Sequence, residues 1–352
     1  MQSAAWQSLY CLESRDVVFD WHKQIYNREL NARRAKEITS SAKQAREFFR
    51  NSAQSNDSVR PLLSFYGVAS LSRSLSLLLK QGSGEEALNR GHGLEASGWT
   101  NVLSGEISEG IGALGTLRIK TTSGLFADFL RETDNRMCIH VDSSAVDWRL
   151  SYGLPPSGNE IALEDLLSRI PDLQGEYSRS GRAAVYAQLQ EMTYSSAAGF
   201  KAKVRAEQFE SFKDSYTDDF TVTRAGDFYE IKREEALTEQ CAPQFMHTYV
   251  NKMFGSIPTL HIVKPMASGA RYSQLAVTYM TSYILGMLAR YFPTHWMSLL
   301  SGEKGDALGP AINAAQRYID SAFPEMVVEF IHDTLDQAVG VSQTPGPVLS
   351  VV

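Results

Sequence analysis

Two stretches of the chain are apolar on every side. From Leu62 to Leu79 the only charge is Arg73, and leucines, Phe65, Tyr66, Val68 and Ala69 leave no polar stripe. From Tyr272 to Ala289 there is no charge at all, with Arg271 and Arg290 as its bounds. Helices of this kind belong inside a core, and the two are expected to pack on each other. The second carries Ser273, Gln274, Thr278, Thr281 and Ser282, more polar groups than a membrane span tolerates.

Around them the pattern is amphipathic. Residues 3–50 read as helical with a break near Ser14 to Asp16, and Ile38, Ala42, Ala45 and Phe49 mark one helical face. Asp57 or Ser58 is expected to cap the next helix, with Pro61 in its first turn and Lys80 and Gly82 at its end. Residues 81–116 are glycine-rich and read as loops. Thr116 to Thr121 (TLRIKT), Arg136 to Asp142 (RMCIHVD) and Thr259 to Val263 read as short strands. Leu163 to Ile170 reads as a short helix stopped by Pro171. Residues 181–216 mix both signals. FTVTRAGDFYEIK (Phe220 to Lys232) alternates around Ala225 and Gly226, which predicts a hairpin packing through Phe220, Val222, Phe228 and Ile231. Helices follow over 271–291, 294–301 and 307–338.

Helices come first and last, with strands segregated between them. The fold class is therefore mainly α with a small β insertion (α+β), its helical core formed by the N- and C-terminal helices. The expected organisation is an N-terminal helical region over 1–175, a mixed middle over 176–265, a C-terminal helical region over 266–338 and a disordered tail over 339–352.

Charge changes the picture in one place. The chain carries a net charge of -6, yet residues 22–50 hold eight basic residues against Glu29, Glu37 and Glu47. Lys23, Arg28, Arg33, Arg34, Lys36, Lys43, Arg46 and Arg50 make this helix the expected site of any nucleic-acid contact, with Arg33, Arg34 and Lys36 at its centre. Cys11, Cys138 and Cys241 are odd in number and far apart, which fits a reducing compartment. Met1 to Tyr10 lacks the basic and apolar regions of a signal peptide. The expected location is the cytoplasm, with no membrane contact.

Several pieces together resemble the YaaC-like protein family. They are RPLLSFYGVASLSRSLSLLLK (Arg60 to Lys80), then His92-Gly93, GLF (Gly124 to Phe126), LLSRIPDL (Leu166 to Leu173) and YMTSYILGMLARYFPTHW (Tyr279 to Trp296). The likeness covers roughly 45–175 and 275–330, and the middle, 180–260, lies outside it. After His92-Gly93 the chain reads LEASGW where the family is basic. The resemblance implies a prokaryotic cytosolic protein and names no reaction. The place of His92 and Gly93 in its motif makes them the first candidates for binding.

Candidate chemistry is sparse. Gly110 to Gly115 spells GxGxxG without the preceding strand that a dinucleotide site needs. No GxxxxGK[ST], GxSxG or HExxH occurs. Cys138 and His140 would share a strand face, but two ligands do not make a metal site. No cofactor or metal is expected. Arg290 and His295 have the Arg-x4-His spacing of HEPN ribonucleases, with Pro293 between them to end the helix. Asp219 with Glu230 and Lys232 has the order of a PD-(D/E)xK nuclease site. Neither pattern is specific. The expectation is a non-enzymatic protein acting through protein or nucleic-acid contacts, with a protein partner or a second copy of itself. Membership of a prokaryotic defence or regulatory complex is expected by association only. The alternative is a nuclease built on one of these two sets.

Overall fold

A computed structural model describes residues 4–140, 146–147, 151–195, 199–218, 220–233, 247–252 and 259–339, with 139–140, 146–147 and 194–195 described by backbone alone. Asp219, Cys241, Asp142 and the tail beyond Val339 lie outside the described residues. The chain forms two compact units. One gathers Met1–Thr133, Pro156–Leu167 and Leu275–Val339, and the other Asp134–Pro155 and Ser168–Gln274.

The helical unit opens with α1 (Ala4–Leu9), a single 3-10 turn (Tyr10–Glu13), α2 (Arg15–Tyr26) and α3 (Ala32–Gln54). The expected break near Ser14 is present. A second one follows at Asn27, which closes α2 in the left-handed conformation at φ 50° that asparagine tolerates. Asn31 then caps α3, its Oδ1 accepting from Arg34 N at 2.8 Å. Ile38, Ala42, Ala45 and Phe49 are all buried, as their spacing predicts.

Helix α4 (Arg60–Leu79) packs along α3. Gly67 permits this, since a Cβ there would lie 2.7 Å from the Phe49 ring. Neither Asp57 nor Ser58 caps α4. The Asp57 carboxylate pairs with Arg60 at 3.1 Å and Ser58 bonds to Asn56, so Val59 stands at the N-cap with no side-chain bond. Among the described residues α4 alone has the length and apolarity to cross a membrane, and 78% of that window is buried within the protein.

The stretch expected to be loops contains β1 (His92–Ser97), α5 (Trp99–Leu103) and α6 (Ile107–Gly112). After it come β2 (Arg118–Gly124) and α7 (Leu125–Glu132). Strand β1 pairs antiparallel with β2, and β2 with β5 below. His92-Gly-Leu-Glu-Ala-Ser97 has no alternation, so its strand character depends on β2 as template. The glycines of GxGxxG serve packing: Gly110 lies against His295, and Gly115 against Glu164 and Leu308.

The chain then enters the second unit. Within the expected 136–142 strand, Ile139–His140 form β3, paired with β4 (Val146–Asp147), while 141 and 142 lie outside the described residues. It returns to the helical unit as β5 (Glu160–Ala162) and α8 (Leu163–Leu167), shorter than expected, and a 3-10 turn begins at Pro171. The second unit continues with α9 (Gln174–Arg179), β6 (Tyr186–Ser195), β7 (Gly199–Arg205), α10 (Ala206–Phe209), β8 (Thr221–Ala225), β9 (Phe228–Arg233), β10 (Thr248–Val250) and β11 (Leu260–Val263). Its sheet has the order β10-β11-β6-β7-β9-β8, all antiparallel. Phe200, Ala202, Val204, Tyr229 and Ile231 fill one face, over the ring cluster of Phe209, Phe212, Tyr216 and Phe220.

The hairpin at 220–232 forms, with its turn one residue later than expected. Ala225 pairs with Phe228, leaving Gly226 at φ 63° and Asp227 as the turn. Moving a two-residue turn by one position shifts each cross-strand partner by two, so in either register the odd-numbered residues of β9 share the face of Phe220 and Val222, and Phe228 does not. Tyr229 points inward with Ile231, and Phe228, expected to pack with them, lies on the outer face because it is one residue out of phase with Ile231.

The helical unit closes with α12 (Gln274–Tyr291), α13 (Pro293–Leu300) and α14 (Gly309–Ala338). Helix α14 packs on α1, α2 and α4, so the two ends of the chain share one helical core.

Candidate protein-contact corner

The two apolar helices meet through Gly286 of α12, where a Cβ would lie 2.8 Å from Phe65 Cβ and 3.2 Å from the Pro61 carbonyl. The phenyl ring of Phe65 is 5.4 Å from Tyr283 and 6.2 Å from Tyr279, both edge-on. His92 of β1 joins this cluster, its ring 5.1 Å from Phe65 and 5.9 Å from Tyr283. Gly93 and Gly124 make the close crossing that holds it. Gly93 sits at φ 78° with Phe126 N where a Cβ would go, and Gly124 at φ 149° faces Gly93 N and Gly91 O. Thus Phe65, His92-Gly93, Gly124 to Phe126 and Tyr279 to Gly286, which recur as separate fragments along the sequence, are one structural junction.

His92 is half-buried. Burial, and then the positive charge of Arg290, hold its pKa below the usual imidazole value. The Tyr283 hydroxyl is pushed up to about 12 by burial first and then by Tyr291 and Glu95. The Tyr283 hydroxyl thus stays protonated at neutral pH.

Arg290 and His295 face different neighbours. Arg290 is exposed at the end of α12, where its Nη1 donates to Tyr66 Oη at 2.7 Å and its guanidinium stands 5.0 Å from the Tyr291 ring centre. His295 is buried in the first turn of α13, its Nε2 set against Gly110 and without a hydrogen-bond partner. Pro293 separates them by opening a new helix.

The surface beside Arg290 is apolar. Tyr291 is 60% exposed, Met297 47% and Leu300 37%, with Ile107 of α6 at 36%. Helix α6 packs on α13. Val59, 47% exposed, follows two residues after Asp57, whose carbonyl accepts from Trp296 Nε1 at 3.0 Å. Most of the large exposed apolar residues of the described chain thus lie on α6, the end of α12, α13 and the turn bonded to α13. The sequence carried no signal for this, because Met297 and Leu300 fit the apolar period of a buried helix equally well.

The basic helix is largely neutralised. Arg33 pairs with Glu37 at 2.9 Å and Glu86 at 3.4 Å, and Arg46 pairs with Glu13 at 2.7 Å. Arg34 is buried and donates twice to the Leu77 carbonyl, at 3.0 and 2.6 Å, which joins α3 to the end of α4. Its guanidinium is withdrawn from any phosphate outside. Lys36 is exposed and belongs to no ion pair among the described residues.

A second polar set went unread in the sequence. Asp320 of α14 accepts from Ser64, whose Oγ is 2.7 Å from Ser52 Oγ and 2.6 Å from Gln316 Nε2. Burial raises the Asp320 carboxyl to about 6 against the hydroxyl bonds that lower it. The partners lie up to 268 residues apart, so no local pattern marks them.

In the second unit, Glu230 and Lys232 pair with each other at 2.6 Å on strand β9. Asp219, the third member of that set, falls outside the described residues. Among the described residues no three His, Cys, Asp or Glu side chains are close enough to hold a metal ion.

What is assembled here is a mainly helical α+β protein with a tightly built aromatic junction and an apolar corner beside it. The chain belongs to the YaaC-like protein family, whose model matches residues 10–331. That match extends the likeness through the middle region, which shares no short motif with the pieces named above. No curated protein and no solved structure matches the chain.

Proposed function

We propose that this chain is a non-enzymatic cytosolic protein that works by binding another protein at the corner formed by α6, α12 and α13. The observation that carries this is the exposure of Tyr291, beside Arg290, and of Met297, Leu300 and Ile107 on the packed pair α13 and α6. Tyrosine, methionine and arginine are the side chains enriched at the centres of protein interfaces, where they fill pockets at low entropic cost. Arg290 is already oriented by Tyr66, so it can meet a partner carboxylate without first being ordered. The junction behind it, locked by Gly93, Gly124 and Gly286, makes this corner rigid. Such a protein would serve as a component of a prokaryotic defence or regulatory complex. The ribonuclease reading draws no support from a histidine enclosed against Gly110, nor the metal-nuclease reading from a Glu230 already paired with Lys232.

The test is photocrosslinking in cells. A benzophenone amino acid placed at 291 or 297 is expected to give one discrete adduct, lost on adding Arg290→Glu. The same probe at Lys43, exposed on α3, should give none. Absence of an adduct at 291 and 297, or the same adducts at all three sites, would reject the corner as the contact.

A further inference from the structure

The six-stranded sheet of the second unit buries one face and leaves the other open along β7, β9 and β8. Register places Lys201, Lys203 and Arg205 at alternate positions of β7, opposite Lys232, Glu230 and Phe228 of β9. Lys201 and Arg205 are exposed, and neither has an ion-pair partner among the described residues. Lys203 reaches Glu191 at 3.8 Å and stands 4.7 Å from the Phe228 ring centre. Among the described residues, four cations therefore share this face with two carboxylates, Glu191 and Glu230, inside a chain of net charge -6.

Arrangement matters as much as charge. Alternate residues on a strand are about 6.8 Å apart, so Lys201, Lys203 and Arg205 form a straight cationic row. A row of this kind follows an extended polyanion. Phe228 lies beside it on the next strand as a half-buried ring that one flat base could cover. The outermost strand, β8, presents Thr221 and Thr223 on the same face, small side chains that leave access to Phe228 open. Double-stranded nucleic acid would need an element that enters a groove, and this face is a shallow sheet. An anionic membrane would need large apolar side chains to insert, and among the described residues of these strands this face has only Phe228.

We propose that this open sheet face binds single-stranded nucleic acid, with Lys201, Lys203 and Arg205 on successive phosphates, Lys232 beside Lys201, and a base taking the place of the Lys203 ammonium over Phe228. The site is distinct from the basic helix α3, whose arginines are mostly engaged within the protein. Glu191 and Glu230 hold Lys203 and Lys232 in place without ligand, and phosphates compete with them, so binding weakens steeply as salt rises. Three phosphate contacts correspond to a log–log salt slope of about −2.

The experiment is fluorescence anisotropy of the full chain with labelled twelve-nucleotide oligouridylate and oligothymidylate at low salt. The double variant Lys201→Glu/Arg205→Glu should lose at least about tenfold in affinity, and Phe228→Ala about fivefold or more. Arg33→Glu/Lys36→Glu on α3 should bind like the parent. All are checked for an unchanged melting temperature; should Lys201→Glu/Arg205→Glu lower it, Lys201→Gln/Arg205→Gln replaces it with the same expected loss in smaller degree. The proposal is overturned if the parent binds neither oligonucleotide, if the β7 variants bind as the parent does, if Phe228→Ala has no effect, or if the chain binds phosphatidylserine vesicles in place of both.

Discussion

Among the described residues, the largest shift of a carboxyl group falls in the helical unit, and the largest shifts of imidazoles fall in the sheet unit. In the first, Asp320 sits among Ser52, Ser64 and Gln316 with Arg60 nearby, and its pKa rises to about 6. In the second, His247 and His261 are enclosed, and burial lowers them to about 3 and about 4. His247 lies between the carbonyls of Tyr272, at 3.0 Å from Nε2, and Lys264, at 3.4 Å from Nδ1, with Arg169 and Arg271 adding to the repulsion of a proton. At pH 7 both histidines are neutral and Asp320 is mostly ionised, but burial biases all three toward the neutral form. It does so from opposite sides of the titration, so acid acts on the two units with opposite sign.

The sharpest way to break the comparison is to put a charge where the helical unit has none. Leu285 of α12 is fully buried between apolar helices. Leu285→Asp should cost on the order of 4 kcal/mol or more, because the carboxylate has no partner there. Loss of soluble protein, or a collapse of the melting temperature, is the expected readout. A soluble variant that melts like the parent would refute the central place of α12.

The next effect is the pH response itself. Between pH 6.5 and 4 the unfolded chain protonates His247 and His261 while the folded sheet unit does not. Stability there is complete above pH 6.5 and falls as pH drops, by about 1.4 kcal/mol per pH unit for each group. Asp320 works the other way. Its folded pKa is raised, so its effect favours folding below 3.8 and is lost as pH rises through 6. His22 and His92 of the helical unit are also lowered by burial and oppose Asp320, so Asp320→Asn is needed to isolate its part. Hydrogen exchange at pH 7 and pH 5, corrected for intrinsic rates, should show residues 187–204 losing protection. Residues 312–331 should lose less, and Asp320→Asn should remove that relative gain. Equal losses in both segments, in parent and variant alike, would show that the contrast has no energetic weight.

The smallest effect sharpens the sheet side. Tyr216 is fully buried and donates to the Val263 carbonyl at 2.5 Å, fastening the ring cluster to β11. Tyr216→Phe leaves that acceptor without its donor and should cost about 1 to 2 kcal/mol. A shift in urea midpoint with an unchanged slope would show it, and an unchanged midpoint would mean that the bond contributes nothing net.

The helical unit was the legible half. Arg60–Leu79 and Gln274–Tyr291 announce themselves because an all-round apolar helix has only one place to go, and Pro61 and Pro293 mark where such helices begin. Strands were harder. β6 and β11 are neighbours although His261 and its partner Gln188 lie 73 positions apart, and neither segment alternates cleanly. The hairpin was readable because its two strands are joined by two residues, yet Phe228 was expected inward beside Ile231 although the two differ by an odd number of positions and face opposite sides. The same holds for sites. His92 and Gly93 could be singled out as a motif, but that they join Phe65, Gly124 and Tyr283 needed the folded chain.

The sequence by itself determined which helices are interior, that the chain is mainly helical with a sheet-bearing middle, that Arg290 and His295 fall on separate helices, and that no short catalytic motif is present. Tertiary structure alone decided that Arg34 is spent on Leu77 while Lys201 and Arg205 stand free of ion pairs, that Ser64 and Asp320 meet, and that Met297 and Leu300 face outward. The physical reason is range. Helix formation and its breaks are settled by residues within about four positions of one another. Burial of a given face, pairing of charges and strand order depend on which distant segment arrives, and each can change without altering the local pattern that precedes it.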